Sequence, residues 1–312
     1  MEQSPINLPS PKKAIESHLS PFFKYEDVAY IIDETSPDGM YKEGHNLKIV
    51  YDQNSIRIKA WSFGKVLTLD GGVYRANEII FNTPSNHQIE GISYDMEMQI
   101  VHKGISDGDI AKSVILSFLF KKKAGASNKF LEKLELFNLP NPLEPFRELE
   151  NNIFIPSILL QEGDDDIPAM LPFSFYTYSG SLQEPPCSER TIMYVASVPI
   201  ETSFYSLQLI KEALRFPDQT DQFGNIKVAE SIIDNNRAIQ NQHGRAIFHY
   251  DSSMCINTVK NKTRPADFGH FEKVVKETKQ YFHVSGDKPS GLPNAWVVTD
   301  KEALGDMIRE SD

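Results

Sequence analysis

The chain has 312 residues, of which 40% are hydrophobic and 24% are charged; this composition excludes a disordered chain and a collagen-like chain. Its formal net charge of −11 disfavours nucleic acid and anionic membrane surfaces as partners, because an acidic protein repels phosphate groups. No apolar stretch reaches the roughly 18–20 residues that span a bilayer, so we expect no direct membrane insertion.

Short strands between turn signals account for most of the first 260 residues, and they predict a mainly β (α+β) domain. Alternation of apolar and polar side chains, or an unbroken apolar run, marks the clearest strands. Helical spacing is rare, and its best example is the apolar stripe between Phe204 and Leu214. The predicted strands lie at 47–51, 55–61, 96–101, 113–120 and 193–198.

The composition changes near residue 255, and we divide the chain there into a domain, residues 1–255, and an extension, residues 256–312. The extension is predicted to form two short amphipathic helices, the first capped by Asp267 and the second by Thr299. Both need a surface to pack on, either on the same chain or on a partner. Their main apolar positions are Phe271, Val275 and Phe282, and Leu304 and Ile308.

Two features concern the cellular compartment. The two cysteines, Cys187 and Cys255, cannot form a disulfide scaffold. The N-terminal residues lack the basic and apolar segments of a secretion signal. We therefore predict an intracellular protein without a signal peptide, located in the cytoplasm or with the cytoskeleton or a cilium, with the mitochondrion as the alternative.

General catalytic motifs do not point to an enzyme class. The sequence has no phosphate-binding glycine loop, no nucleophile elbow, no His-Glu-x-x-His and no Cys-x-x-Cys. We therefore predict no cofactor and no metal.

Six segments in order nevertheless form a specific pattern, and they lie at 3–7, 44–45, 85–91, 94–102, 178–189 and 236–240. Over residues 3–250 this series resembles the α-class carbonic anhydrases. The resemblance implies a large, twisted, mostly antiparallel sheet with short peripheral helices. It also implies a cone that leads to a zinc ion held by three histidines, two of them alternating on one strand.

The resemblance also shows where the zinc ligands should be. The first two ligand positions fall at Ile80 and Asn82, and the third falls at Gln99, two residues after Glu97. Isoleucine has no donor atom, and neutral amides are weak ligands for zinc. We therefore predict a pseudoenzyme, with Ile80 buried and with Asn82 and Gln99 on one side of the sheet, bonded to each other, to Glu97 or to water.

Other residues of the implied site also differ from the family pattern, or match it but lack the metal with which they would act. The threonine of the implied site falls at Gln183, its small neighbour at Glu184, and the glutamate that supports that threonine at Asn86. His45 matches the proton-shuttle histidine, which without the metal has no metal-bound water to deprotonate. His87 is predicted to be a hydrogen-bonded core residue.

Three classes of function remain open from the sequence. The first is a structural or interaction subunit of a larger intracellular assembly whose partners are other proteins. The second is a module that binds a small ligand in the former cone. The third, a hydrolase, would pair His45 with Glu97, Glu184 or Glu189, although the sequence pairs no nucleophile with a base.

Overall fold

The computed structural model describes residues 2–25, 28, 30–33, 42–52, 55–105, 111–140, 144–159, 173–214, 219–220, 226–227 and 234–252. The predicted boundary at residue 255 and both predicted helices of the extension lie outside the described residues. In the part of the chain that the structure describes, no helix is long and apolar enough to cross a membrane.

Strands dominate the described residues, as predicted. Those of the first half are β1 (Asn7–Leu8), β2 (Ile15–Ser17), β3 (Phe22–Tyr25), β4 (Tyr30–Asp33), β5 (Lys42–Asn46), β6 (Lys48–Asp52), β7 (Ser55–Lys59), β8 (Gly64–Leu67), β9 (Val73–Asn82), β10 (Gln88–Ile89), β11 (Ile92–Ser93), β12 (Met96–Gly104) and β13 (Ser113–Lys122). Those of the second half are β14 (Phe146–Glu148), β15 (Phe175–Ser181), β16 (Glu189–Ala196), β17 (Ile200–Thr202), β18 (Gln219–Thr220), β19 (Ile226–Lys227) and β20 (Phe248–Tyr250).

Most of these strands form one sheet of 13 strands, whose main path is β14-β6-β7-β9-β12-β13-β16-β15-β20-β2. Its pairs are antiparallel except that β13 runs parallel to β16 and β17, and β2 runs parallel to β20. The predicted strand at 193–198 is β16, which begins at Glu189 and ends at Ala196. The large, mostly antiparallel sheet agrees with the predicted fold class.

Helices are short and lie around this sheet. Among the described residues they are α1 (Lys129–Glu132), α2 (Phe204–Ala213) and three 3₁₀ helices at Pro11–Lys13, Leu136–Asn138 and Ile155–Leu159. The side chain of Ser203 accepts a hydrogen bond from the Ser206 N–H and caps α2, which buries Leu207 and Ile210. Phe204 belongs to the predicted apolar stripe, but it lies in the first turn of α2 and is 63% exposed.

Both faces of the central strands are covered, which explains the unbroken apolar run of β13. Because successive side chains of a strand point to opposite faces, Ile79 and Phe81 join the larger apolar cluster, whereas Ile80 joins the smaller one. Val101 and Ile115 also belong to the smaller cluster. The candidate site lies on the face of this smaller cluster.

Candidate functional site

Two adjacent central strands bring the predicted site residues together. Gln99 of β12 lies directly opposite Ile80 of β9, and Glu97 lies opposite Asn82. Residues two apart on a strand share a face, so all four side chains lie on the same side of the sheet. Ile80 is 5% exposed, which confirms its predicted burial, and Asn82 and Gln99 are buried as well. The prediction that Asn82 and Gln99 face the same way is confirmed.

Behind this row lies a framework of buried polar side chains, which we call the support cluster: Ser4, His87, Glu97 and Tyr178. The His87 N–H donates to Glu97 Oε2 at 2.7 Å, and the ring Nδ1 of His87 lies 2.8 Å from Glu97 Oε1. On its other side, His87 Nε2 is 2.7 Å from the Tyr178 hydroxyl, which is 3.0 Å from Ser4 Oγ. His87 is thus a hydrogen-bonded core residue, as predicted.

Glu97 keeps its negative charge inside this cluster. Burial raises the pKa of a carboxyl group, but the electrostatic interaction with His87 and the hydrogen bonds to His87 and Gln99 outweigh that effect. The pKa of Glu97 therefore lies below its ordinary value. A charged Glu97 accepts from Gln99 Nε2 at 2.7 Å and fixes the orientation of that amide.

The centre of the site consists of three amides, Asn82, Gln99 and Gln183. Gln99 Nε2 also donates to Gln183 Oε1 at 2.8 Å, so Gln99 joins the support cluster to the loop after β15. Asn82 differs from the prediction, because its Nδ2 donates to the Asn235 carbonyl at 3.2 Å rather than to Gln99 or Glu97. Among the described residues, Asn82 Oδ1 and Gln183 Nε2 have no hydrogen-bond partner.

Asn86 is buried away from this centre and acts on the backbone. Its Oδ1 accepts from the Arg237 N–H at 2.7 Å. The Arg237 guanidinium donates in turn to the Ser4 carbonyl at 2.6 Å and to Gln3 Oε1 at 2.9 Å. Asn86 therefore helps to tie segment 236–240 to the N-terminal segment.

Sequence reasoning missed Arg57, which lies directly opposite Ile80 on β7 and so shares the face of the site. The Arg57 guanidinium is buried and binds Glu184, and it contacts Glu78 at 3.0 Å. Burial opposes its charge, but Glu184 and Glu78 more than compensate and raise the pKa of Arg57. The alternation in segment 55–61 places Arg57 on the other face of the strand from Ile56 and Ile58. Only the strand pairing shows that the face with Arg57 is also covered.

The three carboxylates of the hydrolase alternative are each bound by other groups of the described residues. Glu97 is bound within the support cluster, Glu184 binds Arg57, and Glu189 accepts from Gln3 Nε2 at 3.0 Å and from the Glu2 N–H at 3.0 Å. His45 lies in β5, paired with Ile31 of β4, and its side chain is outside the described part. No nucleophile–base pair is formed by these three carboxylates.

The donor set at the centre does not suit zinc. Ile80 offers no ligand atom, Asn82 and Gln99 are neutral amides, and Glu97 is already bonded to His87 and Gln99. Within the described residues, no group of three or more His, Cys, Asp or Glu side chains is placed to hold a metal ion. This arrangement can form hydrogen bonds and ion pairs.

Solved structures place the fold among the α-carbonic anhydrases. The α-carbonic anhydrase of Thermovibrio ammonificans with sulfanilamide has a TM-score of 0.58 and 25% identity, and the match covers 79% of this chain and 86% of that one. A dioscorin solved with ascorbate has a TM-score of 0.57 and 21% identity, with 80% and 86% of the two chains covered.

Sequence comparison then identifies the family. The model of eukaryotic-type carbonic anhydrase matches residues 1–251, and the chain belongs to this family. Among its relatives, a carbonic anhydrase of Klebsiella pneumoniae is 27% identical over 249 residues, which are 79% of each chain. Dioscorin dioA3 of Dioscorea japonica is 25% identical over 251 residues, covering 80% of this chain and 76% of the relative.

Proposed function

We propose that this member of the carbonic anhydrase family does not hydrate carbon dioxide and instead acts as an interaction subunit of an intracellular protein assembly. The observation that carries the loss of catalysis is the triad Ile80, Asn82 and Gln99, at the positions that the resemblance assigns to the zinc ligands. A catalytic zinc takes three nitrogen, sulfur or carboxylate ligands, and this triad offers none.

The loss of the cation removes the source of the nucleophile. The pKa of free water is about 16, and a bound metal is what lowers it to near 7. The surrounding residues also support a non-catalytic role. Gln183 is bonded to Gln99, and Asn86 is bonded to Arg237. Neither side chain has the carboxylate or hydroxyl group that the implied site uses.

Zinc content and hydratase activity test this proposal directly. We expect purified protein to retain far less than one zinc per chain after dialysis against a chelator, and to hydrate carbon dioxide no faster than buffer. The triple variant Ile80→His, Asn82→His, Gln99→His should gain stoichiometric zinc, because residues 80 and 82 alternate on β9 and residue 80 pairs with 99. Zinc-dependent hydratase activity in the unaltered protein would overturn the proposal.

Exposed aromatic side chains support an interaction role. Phe137 is 77% exposed, Phe204 is 63% exposed and Tyr205 is 67% exposed. The 3₁₀ helix that carries Phe137 contacts α2, which carries Phe204 and Tyr205. Contiguous exposed apolar surface commonly marks a protein interaction site. Mild purification from whole cells should recover partner proteins, and the double variant Phe204→Asp, Tyr205→Asp should reduce their recovery. The matched control is Ile92→Asp, at another exposed apolar position. Equal recovery with both variants would exclude these aromatics from the interface.

The unpaired amide atoms favour a second candidate, a small-ligand site at the former centre. Asn82 Oδ1 is a free acceptor and Gln183 Nε2 a free donor among the described residues, and buried amides generally have partners. Acetamide, which offers both a donor and an acceptor, is a suitable probe in nuclear magnetic resonance titration. Shifts that saturate in the unaltered protein and vanish in Gln183→Leu would support this candidate, whereas unchanged spectra would exclude it for primary amides.

A further inference from the structure

Near the end of β13 lies a groove of about 660 Å³. Its walls come from the turn after β13, the 3₁₀ helix Ile155–Leu159, the two residues before β15 and the segment that leads into β17. Apolar side chains line much of it, among them Ile158, Phe173, Val198 and Ile200. Val198 is 69% exposed, so this wall offers apolar surface to a further segment.

The described part of the chain ends at this groove. Ser252, the last described residue, is one of the lining residues. Its position is fixed, because its N–H donates to Ser174 Oγ at 3.0 Å and its hydroxyl lies 3.1 Å from the same oxygen. Sixty residues of the sequence follow Ser252, and the first of them therefore start at the groove wall.

We propose that the segment Met254–Val259 docks in this groove and anchors the C-terminal extension to its own domain. An extended chain advances at most about 3.3–3.6 Å per residue, so Met254 and Ile256 lie within roughly 7 and 14 Å of Ser252. Both can reach the apolar wall, and closing so short a loop costs little entropy.

The chemistry of the segment agrees with that of the groove. Residues 253–259 contain no charged side chain, whereas the next residues include Lys260, Lys262 and Arg264. The three charged side chains of the groove bind one another, because Lys121 lies 3.1 Å from Glu201 and Lys123 binds the same carboxylate. An uncharged segment rich in apolar residues can bury its side chains there without leaving an ion unpaired.

Cys255 lies in the middle of this segment and provides a native reporter. We would measure its alkylation by iodoacetamide in the full chain by mass spectrometry, and use Cys187 in the same molecule as internal reference. Docking should make Cys255 react at least about tenfold more slowly than in a peptide of residues 251–260, because reaction then requires local opening. Cys255 reacting as fast as it does in the peptide would overturn the proposal.

Neutral substitutions then locate the docking site. Val198→Gln and, separately, Ile256→Gln should raise the rate at Cys255 to within about twofold of the peptide rate and leave Cys187 unchanged. Neither substitution adds a charge that would alter the thiol, and Ile256→Gln leaves the described domain untouched. The matched control, Ile92→Gln, should not change either rate. If Cys255 is protected but insensitive to Val198→Gln, the segment docks elsewhere and the proposal fails.

Discussion

The support cluster and the amide centre lie side by side on one face of the sheet, yet they differ in how completely their polar atoms are paired. Between Ser4, His87, Glu97 and Tyr178, the hydrogen-bond distances run from 2.7 to 3.0 Å. In the centre, Asn82 and Gln183 each keep an unpaired amide atom among the described residues. The difference indicates that the support cluster stabilises the fold, whereas side chains of the centre can be substituted with little loss of stability.

The largest expected effect comes from removing Glu97. Glu97→Ala leaves the His87 N–H, the His87 ring and the Gln99 amide without their acceptor, and we expect a loss of about 3–5 kcal/mol in the free energy of unfolding. Gln99→Leu, in the centre, should cost only about 1–2 kcal/mol, because it leaves mainly Gln183 Oε1 unpaired. Denaturant unfolding measures both variants, and equal losses would refute the distinction.

A third buried polar group extends the comparison to the opposite face of the sheet. His102 Nδ1 lies 3.2 Å from the Val114 carbonyl and Nε2 lies 2.9 Å from the Tyr25 hydroxyl, and burial lowers the pKa of His102 to about 4. The unfolded chain therefore takes up a proton near pH 6.5 and the folded chain only near pH 4, so stability falls as the pH falls between these values.

This linkage gives a measurable acid sensitivity. Between pH 7 and 4, the unaltered protein should lose about 3 kcal/mol more unfolding free energy than His102→Gln, which has no titrating group at this position. Urea unfolding at several pH values gives the difference. Parallel pH profiles for the two proteins would show that His102 is not held neutral.

Arg57 should show an intermediate effect. Arg57→Met leaves Glu78 and Glu184 without their buried partner, but these carboxylates are 17% and 32% exposed and partly solvated. We therefore expect a loss of about 1–3 kcal/mol. Lys59→Met is the matched control; Lys59 is 50% exposed and its ion pairs should contribute less than about 1 kcal/mol. Thermal unfolding that shows the same loss for both would contradict a buried role for Arg57.

The smallest expected effect is that of Asn82→Leu. This change removes the bond from Asn82 Nδ2 to the Asn235 carbonyl, but it also removes a buried oxygen that is unpaired among the described residues. These two effects oppose each other, so the stability should change by less than about 1 kcal/mol in either direction. Asn86→Leu is the contrasting substitution, because the Arg237 N–H loses its acceptor and about 1–3 kcal/mol should be lost. A larger loss at residue 82 than at residue 86 would show that the Asn82 amide contributes more to stability than the bond from Asn86 to the Arg237 N–H.

The sequence predicts the fold and the placement of Ile80, Asn82 and Gln99 well, because alternation and ordered motifs indicate strands directly. The burial of Ile80 and the shared face of Asn82 and Gln99 follow from the period of two along a strand. The bond from Asn82 to Asn235 was not predictable, because it joins residues 153 apart in the chain. Arg57 was missed for a similar reason: a charged residue in an alternating strand indicates a solvated face until its partners Glu78 and Glu184 are known.

The two arginines near the end of the domain have a consequence for how the protein is made. Arg237 and Arg245 bind the backbone of Ser4 and Gln3, at 2.6 Å and 2.7 Å, across 233 and 242 residues of chain. Synthesis at about 5–20 residues per second puts roughly 12–50 s between the first residues and Arg245. During that time the N-terminal segment lacks its partners, and β2 cannot pair because its neighbour β20 has not yet been synthesised. The nascent chain therefore has open strand edges for most of its synthesis, and it should depend on chaperones more than a domain built from local contacts.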